Sequence, residues 1–263
     1  MFGNEKARPV LLLHDMNGAS WNCLKLAQEV SKWGFRVYVP NLFAGEGMTF
    51  GSSDVFAAAR YIDKNSDWKV HSMHNAGLIV EDIACMTREI SRRHGQQVIV
   101  IGNCLTGIHP LGVLDEACVS KVALCQPATP LTSLFQLLLG TGQGQGKRRS
   151  LGLSENEVNS ALLALKASPR KKIAAFHYLN DPVAPIERLE ALHTKLAAQG
   201  LAGRMKTYVL KPAAEPAQRW WTRHDTTTAK TGIAGPHSTI VNASSPEDLK
   251  WFRAHLKEFL LTP

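Results

Sequence analysis

The feature that most constrains this chain is a repeating unit: a short, almost uniformly apolar run followed by a stretch whose apolar residues fall three and four apart. The runs lie at residues 9–13, 35–39, 97–101, 121–124, 173–179 and 206–210. Runs this short and uniform leave no wet face, which suits strands of a parallel sheet covered on both sides. Between them, Leu26, Val30 and Trp33 mark one amphipathic helix, and Ile79, Ile83, Met86 and Ile90 another. Leu189, Leu192 and Leu196 mark a third, and Leu249, Phe252, Leu256 and Phe259 the last. Ser245, Pro246 and Asp248 are start signals for that last helix. The alternation predicts an α/β fold: a mostly parallel central sheet flanked by helices, joined by right-handed crossovers.

At 263 residues, one large domain over 1–263 is the expectation. The rhythm breaks only at 129–168, which holds no strand signal. That stretch has an apolar segment (131–139), a glycine run with four glycines between 140 and 146, and a second helix signalled by Ser154 and Glu157 as a capping box. A small helical cap insertion within the domain is predicted there. The glycine run is not a phosphate loop: Thr141 stands where the motif needs glycine, and Arg148 follows Lys147 where it needs Ser or Thr.

Apolar residues at 44% and charged residues at 20% exclude a disordered chain or a coiled coil. No apolar run approaches the roughly 18–20 residues of a membrane span, and no export signal is legible at the start, so a cytoplasmic protein without membrane association is expected. The five cysteines (Cys23, Cys85, Cys104, Cys118 and Cys125) are odd in number and lack a C-x-x-C pair. Reduced thiols follow, with neither a disulfide framework nor a structural zinc site. The net charge of +8 is spread thinly over short clusters, among them 170–172. It reads as solvated surface rather than a nucleic-acid footprint. No sticky edge or heptad is visible, so a monomer or weak dimer is expected.

The segment Val98-Ile-Val-Ile-Gly-Asn-Cys104-Leu-Thr-Gly107 carries the chemistry. A buried strand ends in glycine, then presents a thiol on a tight turn opening a helix. Such a turn lifts the central side chain above the sheet and aims the next backbone N–H, that of Leu105, at the same space. The helix dipole would favour the thiolate. A nucleophile so placed needs an orienting acid and a histidine later in the chain. Asp181 follows the 173–179 strand, and His237 lies in the loop before the last helix; His224-Asp225 is the rival. The loop His14-Asp15-Met16-Asn17-Gly18, after the first strand, belongs beside the turn. Its Met16 N–H is the expected second oxyanion donor, with His14 and Asp15 as possible pocket residues. Trp220 and Trp221 either line the pocket or anchor their loop. The other four cysteines read as packing residues.

These features together resemble the dienelactone hydrolase family of α/β-hydrolases over roughly residues 8–260, in a branch whose substrates are mostly unassigned. The resemblance implies a Cys-Asp-His triad at Cys104, Asp181 and His237. Two departures stand out. The family usually has glycine two residues after the cysteine, where Thr106 stands with Gly107 next, and a β-branched residue there is expected to crowd the turn. The family's first-loop acid is typically Glu, where this chain has the shorter Asp15.

The leading expectation is thus an enzyme: a carboxylic-ester hydrolase acting on a small ester, lactone or thioester through an acyl-enzyme on Cys104. No metal or organic cofactor is implied. The alternative is a non-catalytic scaffold of the same fold that binds a small molecule.

Overall fold

The computed structural model describes residues 1–43, 55–65, 67–131, 145–179, 181, 183–211, 239–241, 243 and 245–263. Six strands form one sheet: β1 (Arg8–Leu12), β2 (Phe35–Tyr38), β3 (Val98–Asn103), β4 (Val119–Cys125), β5 (Lys172–Tyr178) and β6 (Met205–Leu210). Their order is β2-β1-β3-β4-β5-β6, every pair parallel. The chain winds from β1 outward to β2, then returns across β1 to β3 and runs the other way. That reversal between β1 and β3 parts the loops leaving their C-terminal ends, and such a switch point is where α/β sheets open a crevice.

Most of the uniform apolar runs have the predicted cause: β1, β3, β4 and β5 feed two cores, while the edge strands β2 and β6 keep half-buried or exposed positions. Leu11, Leu13, Val98, Val100, Val122, Leu124, Ile173 and Ala175 face one side. There they meet α2 (Val55–Lys64), α3 (Ile79–His94), α6 (Glu155–Ala167) and α7 (Ile186–Ala198). Val10, Leu12, Ile99, Ile101, Ala123, Ala174 and Phe176 face the other, under α1 (Trp21–Lys32) and α8 (Pro246–Leu261). The start signals work as read. Ser154 Oγ accepts the Glu157 N–H at 3.2 Å while Glu157 Oε2 accepts the Ser154 N–H at 2.6 Å, and Ser245 Oγ accepts the Asp248 N–H at 3.0 Å.

Of the stretch 129–168, residues 132–144 lie outside the described residues. A short helix, α5 (Gln145–Arg149), precedes α6. Helix α6 sinks Val158, Ala161, Leu162 and Leu165 into the first core, so it serves as a crossover between β4 and β5. Two surface or packing expectations are corrected. Cys85 is exposed on α3 rather than packed, because it falls on the helix face opposite Ile79, Ile83 and Ile90. Lys171, within the cluster expected on the surface, is buried.

Lys171 reaches under the N-terminal ends of the strands. Its ammonium donates to the carbonyls of Leu114 at 2.7 Å, Glu116 at 2.8 Å and Val119 at 2.5 Å. Lys121, buried inside β4, donates to the carbonyls of Phe259 at 3.0 Å, Leu260 at 3.4 Å and Thr262, at the end of α8. These lysines satisfy carbonyls that would otherwise be orphaned where loops and helices end. Among the described residues no helix is long and apolar enough to cross a membrane.

Candidate active site

The turn after β3 is built as an elbow. Cys104 has φ 55°, in the left-handed region, where a non-glycine residue costs about 1–2 kcal/mol. Two glycines allow the close approach. A Cβ on Gly102 would sit 2.2 Å from the Thr106 carbonyl oxygen, and one on Gly107 would sit 2.7 Å from that of Cys125. The backbone around the thiol is tied down from β4. The Cys104 carbonyl accepts N–H bonds from Gly107 and Ala128, each at 2.9 Å, and the Leu105 carbonyl accepts the Thr129 hydroxyl.

Thr106 does not crowd this turn, because the close contact falls one residue later, at Gly107. Its buried hydroxyl accepts the Asn103 N–H at 3.1 Å and donates to the His14 carbonyl at 3.0 Å, stitching the elbow to the loop after β1. The helix expected behind the thiol is cut short. A 3-10 turn over Cys104–Thr106 gives way to a single turn, α4 (His109–Gly112), with Pro110 near its start. Proline cannot extend the hydrogen-bond ladder back toward the turn, so little aligned dipole stands behind the sulfur.

The loop after β1 is compact. Asp15 Oδ1 accepts the Asn17 N–H at 2.8 Å, Asp15 Oδ2 accepts from Asn103 Nδ2 at 3.3 Å, and Gly18, at φ 70°, returns its N–H to the Asp15 carbonyl at 3.0 Å. The short side chain thus reaches the residue before the thiol. His14 is fully buried. Its Nε2 accepts the Leu42 N–H at 2.9 Å, which leaves the proton on Nδ1, 2.8 Å from the Asp15 carbonyl. Burial lowers its pKa to about 4, against the opposing effect of that backbone bond. Both ring nitrogens are therefore spent on backbone, and the ring packs edge-on against Phe43 with centroids 4.6 Å apart. His109, also fully buried, sets its ring against Trp68; burial lowers its pKa to about 4. Met16 is half-buried against the core that includes Cys104 and Leu105.

Asp181 stands beyond β5 and is buried. Its Oδ1 accepts the N–H groups of Val183 at 2.8 Å and Ala184 at 3.0 Å; its Oδ2 accepts the side-chain amide of Gln126. Nearby, Arg188 of α7 is wholly buried and gives its guanidinium to carbonyls: Ser150 at 2.7 Å, Pro127 at 2.5 Å, Pro130 at 3.3 Å and Lys147 at 3.4 Å. Burial lowers its pKa to about 9, while Asp181 opposes the shift. The fork clamps residues 127–130, the same segment that holds the carbonyls of the elbow.

Cys104, Asp15 and Asp181 thus gather at the C-terminal edge of the sheet, on the loops that leave β3, β1 and β5. His237, its rival pair His224-Asp225, and Trp220 and Trp221 lie outside the described residues. The sequence reading missed Gln126 and Arg188. Arg188 had one faint signal, as an arginine flush against the apolar stripe of Leu189 and Leu192. Among the described residues no group of three or more His, Cys, Asp and Glu side chains is placed to hold a metal ion.

No family model matches the chain, and no curated protein matches it. Solved structures do. A provisionally assigned dienelactone hydrolase from Klebsiella pneumoniae subsp. pneumoniae superposes with TM-score 0.59 at 13% identity, covering 97% of this chain and 88% of the other. The chain has the α/β-hydrolase fold. A Thermus thermophilus protein superposes with TM-score 0.56 at 15% identity, over 100% and 92% of the two chains. The monoacylglycerol lipase of Paleococcus ferrophilus gives 0.51 at 17% identity, over 98% and 96%. In this α/β-hydrolase fold the elbow lies at the β1/β3 switch point, the place its topology reserves for a site.

Proposed function

We propose that the protein is a hydrolase of small esters, lactones or thioesters, with Cys104 as nucleophile, His237 as base and Asp181 as the acid that orients it. The observation that carries this reading is the strained backbone of Cys104 between two glycines that no side chain could replace. Strain held in place this firmly is typical of a side chain presented for reaction. The likeness to dienelactone hydrolase and lipase folds agrees with it, and buried Thr239 stands two residues from His237.

In this mechanism His237 takes the thiol proton and the Cys104 sulfur attacks the carbonyl carbon. The carbonyl oxygen gains the electron pair and is met by the N–H groups of Leu105 and Met16. Attack has already formed the C–S bond; collapse re-forms the carbonyl and breaks the bond to the alkoxide or thiolate, which departs with the proton from His237 and leaves the acyl-cysteine. Water, deprotonated by His237, then attacks the acyl carbon; the acid departs and the thiol recovers its proton. Asp181 fixes the imidazole tautomer throughout. Because a thiolate is itself a good leaving group, substrates with activated leaving groups are favoured over amides. The chemistry needs no metal or organic cofactor.

The test is a panel of small esters, lactones and thioesters with the parent, Cys104→Ala and Cys104→Ser. Alkylation by iodoacetamide must be read peptide by peptide, because exposed Cys85 will also react. Turnover that survives Cys104→Ala removes the mechanism. Stoichiometric small-molecule binding with no turnover on any class would leave the scaffold role.

A further inference from the structure

Two neighbouring strands end in the same unusual way. β3 runs into Cys104 at φ 55°, and β4 runs into Gln126 at φ 46°. Among the described residues these are the non-glycine residues with positive φ. The first carries the proposed nucleophile. The second is a glutamine, although glycine would adopt that backbone without steric cost. Gln126 is buried, its N–H is held by the Phe176 carbonyl at 2.9 Å, and the next residue's carbonyl is clamped by Arg188. From this fixed place its amide donates to Asp181 Oδ2.

We infer that Gln126 is a positioning residue for the acid of the triad. It fixes the second oxygen of Asp181 and, through it, the orientation of His237. The inference rests on the proposed triad. Two backbone N–H groups hold Oδ1 from the loop after β5. The amide holds Oδ2 from the end of β4, so three donors from two strand ends define the plane of the carboxylate. Each donor favours the ionised form, the form that can accept from an imidazole N–H. An amide donor does this without placing a second charge beside the carboxylate. Gln126 makes this bond from a backbone held in the left-handed region.

Gln126→Gly and Gln126→Glu, compared with the parent and with Cys104→Ala, test it. The glycine variant removes the strain and the donor together. Relief of strain and loss of a buried hydrogen bond oppose each other in stability, so circular dichroism should show a native fold while kcat falls about 10–100-fold at unchanged KM, since small misplacements of catalytic groups cost on that scale. Alkylation of Cys104 by iodoacetamide, followed on its peptide from about pH 5 to 9, should slow relative to the parent. The glutamate variant can donate only while protonated. It should therefore keep activity at the acid end and show a new alkaline limb that the parent lacks. A Gln126→Gly enzyme with parental kcat and alkylation profile overturns the role of Gln126 alone. A Cys104→Ala protein with parental turnover overturns the triad and this role with it.

Discussion

The two ends of the sheet are built on opposite principles. At the N-terminal end, buried lysines reach for backbone carbonyls. Lys171 serves three and Lys121 serves the end of α8, and burial lowers the pKa of both, to about 8 for Lys121. Both lysines satisfy carbonyls at the ends of loops or helices. At the C-terminal end two side-chain pairs, Asn103 with Asp15 and Gln126 with Asp181, cross between loops in addition to bonds to backbone, and two backbones stand in the left-handed region. The first end lowers the energy of the folded chain. The second stores energy in it, at Cys104 and Gln126, which is what a site for chemistry requires.

The sharpest way to break this contrast is to relax the strain. Cys104→Gly and Cys104→Ala should both abolish hydrolysis, a loss of about 10³-fold or more for a nucleophile, while the glycine variant is the more stable of the two by about 1 kcal/mol, since only alanine keeps the Cβ that strains the turn. Urea titration beside an ester assay checks both signs. Equal or lower stability of the glycine variant would mean that the strain is not relieved by glycine.

Acid should act on the C-terminal end through His14 and His109. Both have folded pKa values lowered to about 4 by burial, against about 6.5 unfolded. Below about 6.5 the unfolded chain binds the protons first, so stability falls as pH drops from there toward 4. The loss is of order 3 kcal/mol for each histidine. Unfolding midpoints across that range report it, and His109→Leu should flatten the slope.

At the opposite end, Lys171→Met should strand three carbonyls and lower stability by about 2 kcal/mol. The rate per folded molecule should stay unchanged. A rate loss equal to that of an elbow mutant would erase the distinction between the ends. The smallest effect is expected at the seam between the elbow and the loop after β1. Thr106→Val keeps the shape but leaves the Asn103 N–H without its hydroxyl, costing about 1 kcal/mol with a modest fall in kcat.

Much of this was legible in the sequence for a physical reason. A strand buried on both faces is apolar along most of its length, and an elbow as tight as that at Cys104 needs Gly102 and Gly107, so sheet and elbow each leave a linear trace. The residues that act by reaching across the fold leave none. Gln126, Arg188, Lys121 and Lys171 look like ordinary polar residues until the partner carbonyls and carboxylate are in place. Thr106 misled for a related reason: its β-branch suggested crowding, while its hydroxyl had a partner 92 residues away. The short α4 was missed because the glycine turn drew attention from Pro110. Of the three proposed triad members, Cys104 and Asp181 are among the described residues and His237 is not.

The lysine inside β4 has a consequence for the order of assembly. Its ammonium meets the end of α8, and its carbonyl partners lie 138 to 141 residues further along the chain. Lys171, by contrast, finds carbonyls 52 to 57 residues earlier. A growing chain can therefore settle Lys171 as soon as β5 arrives, while β4 keeps a buried charge without a partner until α8 docks. Loop closure over that distance is slow. The face of the sheet under α8 is thus covered last, and a chain lacking α8 leaves Lys121 without its carbonyls and that core open.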